Sequence, residues 1–201
     1  MTVDDYNKWL DECVAKAQAN AEFKHCCSAG CSHCCSEPAY ADRRQIDHII
    51  AALTPEQIEE VKVKLPEWIA KTEELRKVER PKAFAYRLAN AVCPLLKDGL
   101  CIAYERRPAD CRIWFATGNP EDCKMPARRN QKFADYPARV MDFMMRPFIM
   151  DAVEKGEEIV LDHIGALLAE RLLNQHVPSA GRMHRNQPTN EDTRVSVEVP
   201  E

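Results

Sequence analysis

The sequence predicts a mainly α-helical protein: a helical bundle packed around a cysteine-rich metal-binding loop and a short β-hairpin. Three observations carry that expectation. Apolar residues recur at spacings of three and four over most of the chain. Only residues 92–104, VCPLLKDGLCIAY, offer two short apolar runs about a tight-turn dipeptide, Asp98-Gly99. Ten cysteines in 201 residues gather mainly in two places instead of scattering.

The length suits one domain with a core of its own, so the cysteines are not needed merely to staple a small fold. That domain is expected over residues 1–175, with its motif core at 27–123 and C-terminal helices within 135–175. Residues 176–201 are rich in polar and charged side chains and read as a mobile polar tail. Charged residues make up 30% and the net charge is −4, which gives no basic footprint for nucleic acid or an anionic membrane. No run approaches the ~18 apolar residues of a membrane span. The opening MTVDDYNKWLDEC lacks the basic and apolar regions of a signal peptide, so a cytoplasmic location is expected. Thiols stay reduced there, and clustered cysteines then point to metal binding or catalysis more than to disulfides.

Taken in order, Val3, Tyr6, Leu10, Cys13, Val14 and Ala17 share one face of a helix over residues 3–20, which makes Cys13 a core residue. His25 to Cys35, HCCSAGCSHCC, is a compact loop. Ile46, Ile49, Ile50 and Leu53 mark a short helix. Thr54-Pro55-Glu56-Gln57 supplies an N-cap, a proline at the first helical position and a capping-box glutamine. From there Ile58, Val61, Leu65, Trp68, Ile69, Thr72 and Leu75 stripe a long helix, kinked at Pro66 and ended before Pro81; the stripe is read as core. Residues 82–91 carry a weak helical pattern. The Asp98-Gly99 hairpin is the only β-structure expected, followed by a turn into a short helix near Pro108. Asp135-Tyr136-Pro137 opens a further helix with Val140, Met144, Phe148 and Val153 inward and a kink at Pro147. Its methionine-rich stretch is read as core. Ile164, Leu167, Leu168 and Leu172 mark the last helix.

The cysteines form two groups. Cys27, Cys31, Cys34 and Cys35 lie in one loop short enough to wrap a single centre. Cys93, Cys101, Cys111 and Cys123 form the second, in which the hairpin would bring Cys93 near Cys101 and the turn at Pro108 would return Cys111 to them. Adjacent Cys34 and Cys35 point apart in most backbones, so one can serve each of two sites or bridge two metals. Cys26 is a neighbour more than a ligand, and His25 and His33 are possible substitutes for a thiolate. Thiolates suit zinc and iron–sulfur clusters alike. Arg106, Arg107 and Arg112 stand beside Cys111 and can offset the charge of a four-thiolate site, or else form surface ion pairs. The spacing Cys27-x3-Cys31-x2-Cys34 also matches the radical-SAM cluster motif, but six glycines and no Gly-rich segment after a strand argue against that barrel.

Together, CSAGCSHCC and CPLLKDGLCIAYERRPADCR resemble the YkgJ-type cysteine-cluster family, a zinc- or iron-chelating domain with a CxxCxxCC motif. The first gap here is three residues, not two. The second motif follows the family's pattern at Cys93, Pro94, Leu96, Gly99, Cys101, Tyr104, Glu105, Arg107, Pro108, Cys111 and Arg112, and Cys123 matches a further cysteine. The resemblance implies metal binding by Cys27, Cys31, Cys34, Cys35, Cys93, Cys101, Cys111 and Cys123. Tyr104, Glu105, Arg107 and Arg112 are expected to support those ligands, Arg107 and Glu105 through an ion pair or bonds to backbone; a catalytic Glu105–Tyr104 pair is the alternative.

The expected function is a cytosolic metal-binding protein with one or two cysteine-ligated iron–sulfur or zinc centres, acting in electron transfer or metal handling. Seven or eight thiolates exceed one closed zinc site, which favours iron–sulfur. A metal-dependent modification enzyme is the alternative, such as an S-adenosylmethionine-dependent protein N-methylase, an activity linked to one branch of that family. No Gly-rich nucleotide loop supports it. A structural zinc module that binds a protein partner is the third reading.

Overall fold

The computed structural model describes residues 1–19, 27, 30–77, 83–113, 123, 138–177 and 183–185. The chain is mainly helical. Helix α1 runs Val3–Gln18. Thr2 and Asp5 cap it reciprocally, with the Asp5 N–H donating to Thr2 Oγ1 at 3.1 Å and the Thr2 N–H to Asp5 Oδ2 at 3.2 Å. Helix α2 (Arg43–Ile50) starts at a capping box of Asp42 and Gln45 that lies upstream of the expected apolar run. Helix α3 (Pro55–Arg76) opens on the expected Thr54/Gln57 box and runs on through Pro66. Helices α4 (Ala83–Leu88), α5 (Ala109–Ile113), α6 (Ala138–Glu154) and α7 (Ile164–Leu173) follow. Residues 135–137, the expected opening of α6, lie outside the described residues, as do the side chains of Val140 and Met144.

The hairpin forms as β2 (Leu96–Lys97) and β3 (Leu100–Cys101), with positive φ at Asp98 (49°) and Gly99 (77°). Successive left-handed residues match the right-handed twist of the strands they join. It is not the only β-structure. A second, antiparallel sheet of order β1-β4-β5 joins β1 (Tyr40–Asp42), β4 (Ile159–His163) and β5 (Met183–Arg185). Tyr40 pairs with His163, and Val160 with His184. The strands are three to five residues long and come from distant parts of the chain. No local hairpin signal announces them, and the central run IVLDH is too short for its periodicity to separate strand from helix. Within the stretch read as a polar tail, β5 closes this sheet and Val177 is buried in the core.

Among the described residues, two apolar clusters form. The larger joins α3 to α7: Val61, Leu65, Trp68, Leu167 and Leu168 are buried together, and Thr72 donates to the Trp68 carbonyl at 2.8 Å. The α3 stripe is therefore core. The smaller cluster seats α1 on α5 and α6 through Tyr6, Leu10, Ala109, Ile113 and Phe148, with the Tyr6 and Phe148 rings stacked at 4.6 Å. Cys13 and Met145 border it, and Tyr6 Oη reaches Met145 Sδ at 3.1 Å.

Candidate metal centre

The two cysteine groups meet. The first group ends in a 3-10 helix, His33–Ser36, which carries Cys34 and Cys35, and the chain then leads into β1. The Cys93 N–H donates to the Cys35 carbonyl at 2.7 Å, which fixes the second motif against the first. Next, the Leu96 N–H donates to the Cys93 carbonyl (3.0 Å) and the Ile102 N–H to the Leu95 carbonyl (2.9 Å), setting the hairpin's base beside Cys93. In the ladder itself Cys101 faces Leu96, so Cys93 nears it from the turn before β2 and not from across the strands. The Cys111 N–H donates to the Pro108 carbonyl at 3.0 Å, starting α5 with Cys111 turned back toward the hairpin.

Among the described residues, six thiols thereby line one cavity of about 100 Å³: Cys31, Cys34, Cys35, Cys93, Cys101 and Cys111. Cys34 is exposed and the other five are half-buried. Cys27, half-buried, and Cys123, buried, are not among the residues lining it. His33 is half-buried in the 3-10 helix, and His25 and Cys26 lie outside the described residues. The thiols share a cavity without forming a closed shell. Among the described residues, no three Cys, His, Asp or Glu side chains stand together as a group ready to hold an ion.

Charge explains what this arrangement demands. Cys35 is held well above the ordinary thiol range by its hydrogen bond with Cys34, by burial, and by repulsion from Cys93, Cys34 and Cys111. Burial pushes Cys93 up to about 12, with Cys101 and Cys34 adding repulsion. Cys111 is raised by burial and by Cys93, Asp110, Cys34 and Cys101. Cys101 is raised by burial and by Cys34, against the pull of Arg107. Every pairing among Cys34, Cys93, Cys101 and Cys111 is thus close enough for one charge to oppose the other. Thiolates so crowded are stable only with a cation between them. Cysteine thiolates are soft donors of the kind that zinc ions and iron–sulfur cores take.

The arginines divide their work. Arg107 lies over the Tyr104 ring at 3.6 Å, donates to the Tyr104 carbonyl at 2.8 Å, and lines the cavity. Arg112 is buried: Nε donates to the Arg107 carbonyl at 2.7 Å, Nη2 to the Glu105 carbonyl, and Nη1 to Asp11 of α1 at 2.6 and 2.7 Å. It therefore holds the backbone between Cys101 and Cys111 to the first helix. Arg106 turns outward to His48 and Asp4.

The same cavity is lined by Glu37, Asp110, Tyr86, His163 and Trp68, none of which the sequence reading placed at the site. Tyr86 Oη and His163 Nε2 are 3.1 Å apart, and the His163 ring lies 4.3 Å from that of Tyr40. Asp110 accepts from the Tyr40 N–H at 2.8 Å, and burial pushes its carboxyl up to about 6. Asp110 and Glu37 sit within two residues of Cys111 and Cys35, a signal the sequence did offer. His163, where β4 meets α7, gave none.

No curated protein and no solved structure matches the chain. A family model described as "CxxCxxCC: Putative zinc- or iron-chelating domain" matches residues 25–138, more than half of the sequence and the whole of both cysteine groups. The chain belongs to this CxxCxxCC family.

Proposed function

We propose that the protein holds a single metal centre on the thiolates of Cys34, Cys93, Cys101 and Cys111, in the reducing cytoplasm, and uses it in metal handling or electron transfer. One observation carries this reading: these four thiols line one cavity, and a negative charge on any one of them opposes ionisation of the others. Cys35 stands beside them and Cys31 at the same cavity. The resident group would be zinc or an iron–sulfur cluster, both of which take four thiolates; zinc fixes the loop or polarises a ligand, and a cluster carries an electron. Arg107 offsets charge at Cys101, and Arg112 holds the connecting backbone. Anaerobic purification followed by a visible spectrum and assay of iron, zinc and sulfide tests the reading. A colourless protein with one zinc, or a coloured one with iron and sulfide, supports it; a protein with neither overturns it.

The second reading is a metal-dependent modification enzyme, such as an S-adenosylmethionine-dependent protein N-methylase. The polar wall of Glu37, Asp110, Tyr86 and His163 favours it, because acid–base groups share the thiol cavity. Saturable S-adenosylmethionine binding is its test, and absence of binding counts against it.

A further inference from the structure

His48 stands where three segments meet. It projects from α2 with its side chain only 14% exposed, between Asp4 of α1 and Arg106 of the 3-10 turn Tyr104–Arg106. That turn lies between Cys101 and Cys111 in the chain. Tyr104 within it and Arg107 just after it both line the thiol cavity. His48 Nε2 is 3.1 Å from Asp4 Oδ1, and Arg106 Nη1 is 3.1 Å from Nδ1 and 2.9 Å from Nε2. A neutral imidazole has one donor nitrogen and one acceptor. With the proton on Nε2, the ring donates to the Asp4 carboxylate and Nδ1 accepts from the Arg106 guanidinium. The opposite tautomer would turn a lone pair on the carboxylate. The charged groups facing the ring are Asp4 from α1, Arg106 from the turn and Arg112 from α5. Neighbouring charges on α2 have other partners: Arg43 with Glu158 and Glu170, Arg44 with Asp42 and Glu157, and Asp47 with Arg171.

We propose that His48 is an acid-sensitive latch that holds the turn between Cys101 and Cys111 onto α1 and α2. A second proton has only Nδ1 to go to, the atom that accepts from Arg106. It removes that acceptor and sets a cation against the guanidinium, while the bond to Asp4 remains. The turn then loses its tie to α2, and the cavity its fixed edge at Tyr104 and Arg107. Burial holds His48 below the ordinary imidazole range; Asp4 opposes this, and Arg106 and Arg112 reinforce it. The unfolded ring charges near about 6.5, so the latch is fully present above that pH and is lost as pH falls through the lower folded value. It is a property of the fold around the cavity and does not rest on the metal-centre reading.

The test follows the imidazole nitrogens of the full-length protein by NMR, together with amide exchange at Arg106 and Arg107, from about pH 8 to about pH 5. Those amides donate to the Ala103 and Tyr104 carbonyls at 2.9 and 3.4 Å. The expected result is an Nε2–H tautomer for His48 at high pH and, as it charges, a several-fold rise in exchange after correction for the intrinsic pH dependence. His48→Gln keeps a donor and an acceptor and cannot charge, so its corrected exchange should not follow pH. Asp4→Asn, at a side chain 73% exposed, leaves the fold intact and should lower the pH at which His48 charges. An Nδ1–H tautomer overturns the latch, as does turn exchange that ignores the charging of His48. The same rise in His48→Gln, or an unmoved titration in Asp4→Asn, overturns it as well.

Discussion

The backbone N–H of Cys93 donates to the carbonyl of Cys35 at 2.7 Å, across 57 intervening residues. This bond places the hairpin motif directly on the end of the cysteine loop. Both partners carry thiols that line the same cavity, so the backbone brings the donors together before any metal does.

The thiols divide into those at the cavity and those away from it. Cys93→Ser, Cys101→Ser and Cys111→Ser should each lose the bound metal. Cys27→Ser and Cys123→Ser should retain it. Metal analysis after gel filtration distinguishes the two outcomes. Equal loss in all five would return Cys27 and Cys123 to the ligand set.

Arg112 ties two backbone carbonyls and Asp11 together from a buried position. Arg112→Ala leaves both carbonyls unpaired and should cost about 2–4 kcal/mol in urea unfolding. Asp11 is 58% exposed at its side chain, so Asp11→Asn should cost less than about 1 kcal/mol. The asymmetry is the check: equal losses would mean that the ion pair, and not the carbonyl bonds, does the holding.

Gly165 begins the second residue of α7 directly against Trp68. A Cβ there would lie 2.5–2.6 Å from three atoms of the indole. Both residues also line the thiol cavity. Gly165→Ala should destabilise by about 1–3 kcal/mol, because a packed ring between α3 and α7 has nowhere to go. The shift in Trp68 fluorescence and the urea midpoint report it together.

Asp42 caps α2 from a buried position, and burial raises its carboxyl above the ordinary range against the pull of Arg44, 2.7 Å away. The folded chain then holds this proton more tightly than the unfolded chain. The cost of the buried charge is fully present above the raised value. Stability contributed by this group therefore grows as pH falls through the raised value toward about 4, the unfolded carboxylate range. Asp42→Asn keeps the acceptor for the Arg44 N–H and removes the titration. The stability difference between wild type and variant, followed by urea unfolding from pH 7 to 4, should shift in favour of wild type as the pH drops. A difference flat in pH would contradict this.

The sequence by itself determined the main helices, the hairpin and the zinc- or iron-chelating family. Thr54 and Gln57 cap α3, the α3 stripe from Val61 to Thr72 is its core face, and Asp98-Gly99 turns the hairpin, because each of these rests on contacts within a few residues. The two cysteine motifs were legible for the same reason: their spacing is local. The β1-β4-β5 sheet was not, since Tyr40 and His163 meet only through tertiary packing. The sheet pairs Tyr40 with His163, and each meets a residue that lines the thiol cavity: His163 Nε2 lies 3.1 Å from Tyr86 Oη, and the Tyr40 N–H donates to Asp110 at 2.8 Å. Which thiols converge was likewise a tertiary decision. Cys34, Cys93, Cys101 and Cys111 are gathered by one backbone bond, one hairpin and one short helix, and spacing along the chain cannot encode the distance between segments that only the fold brings together.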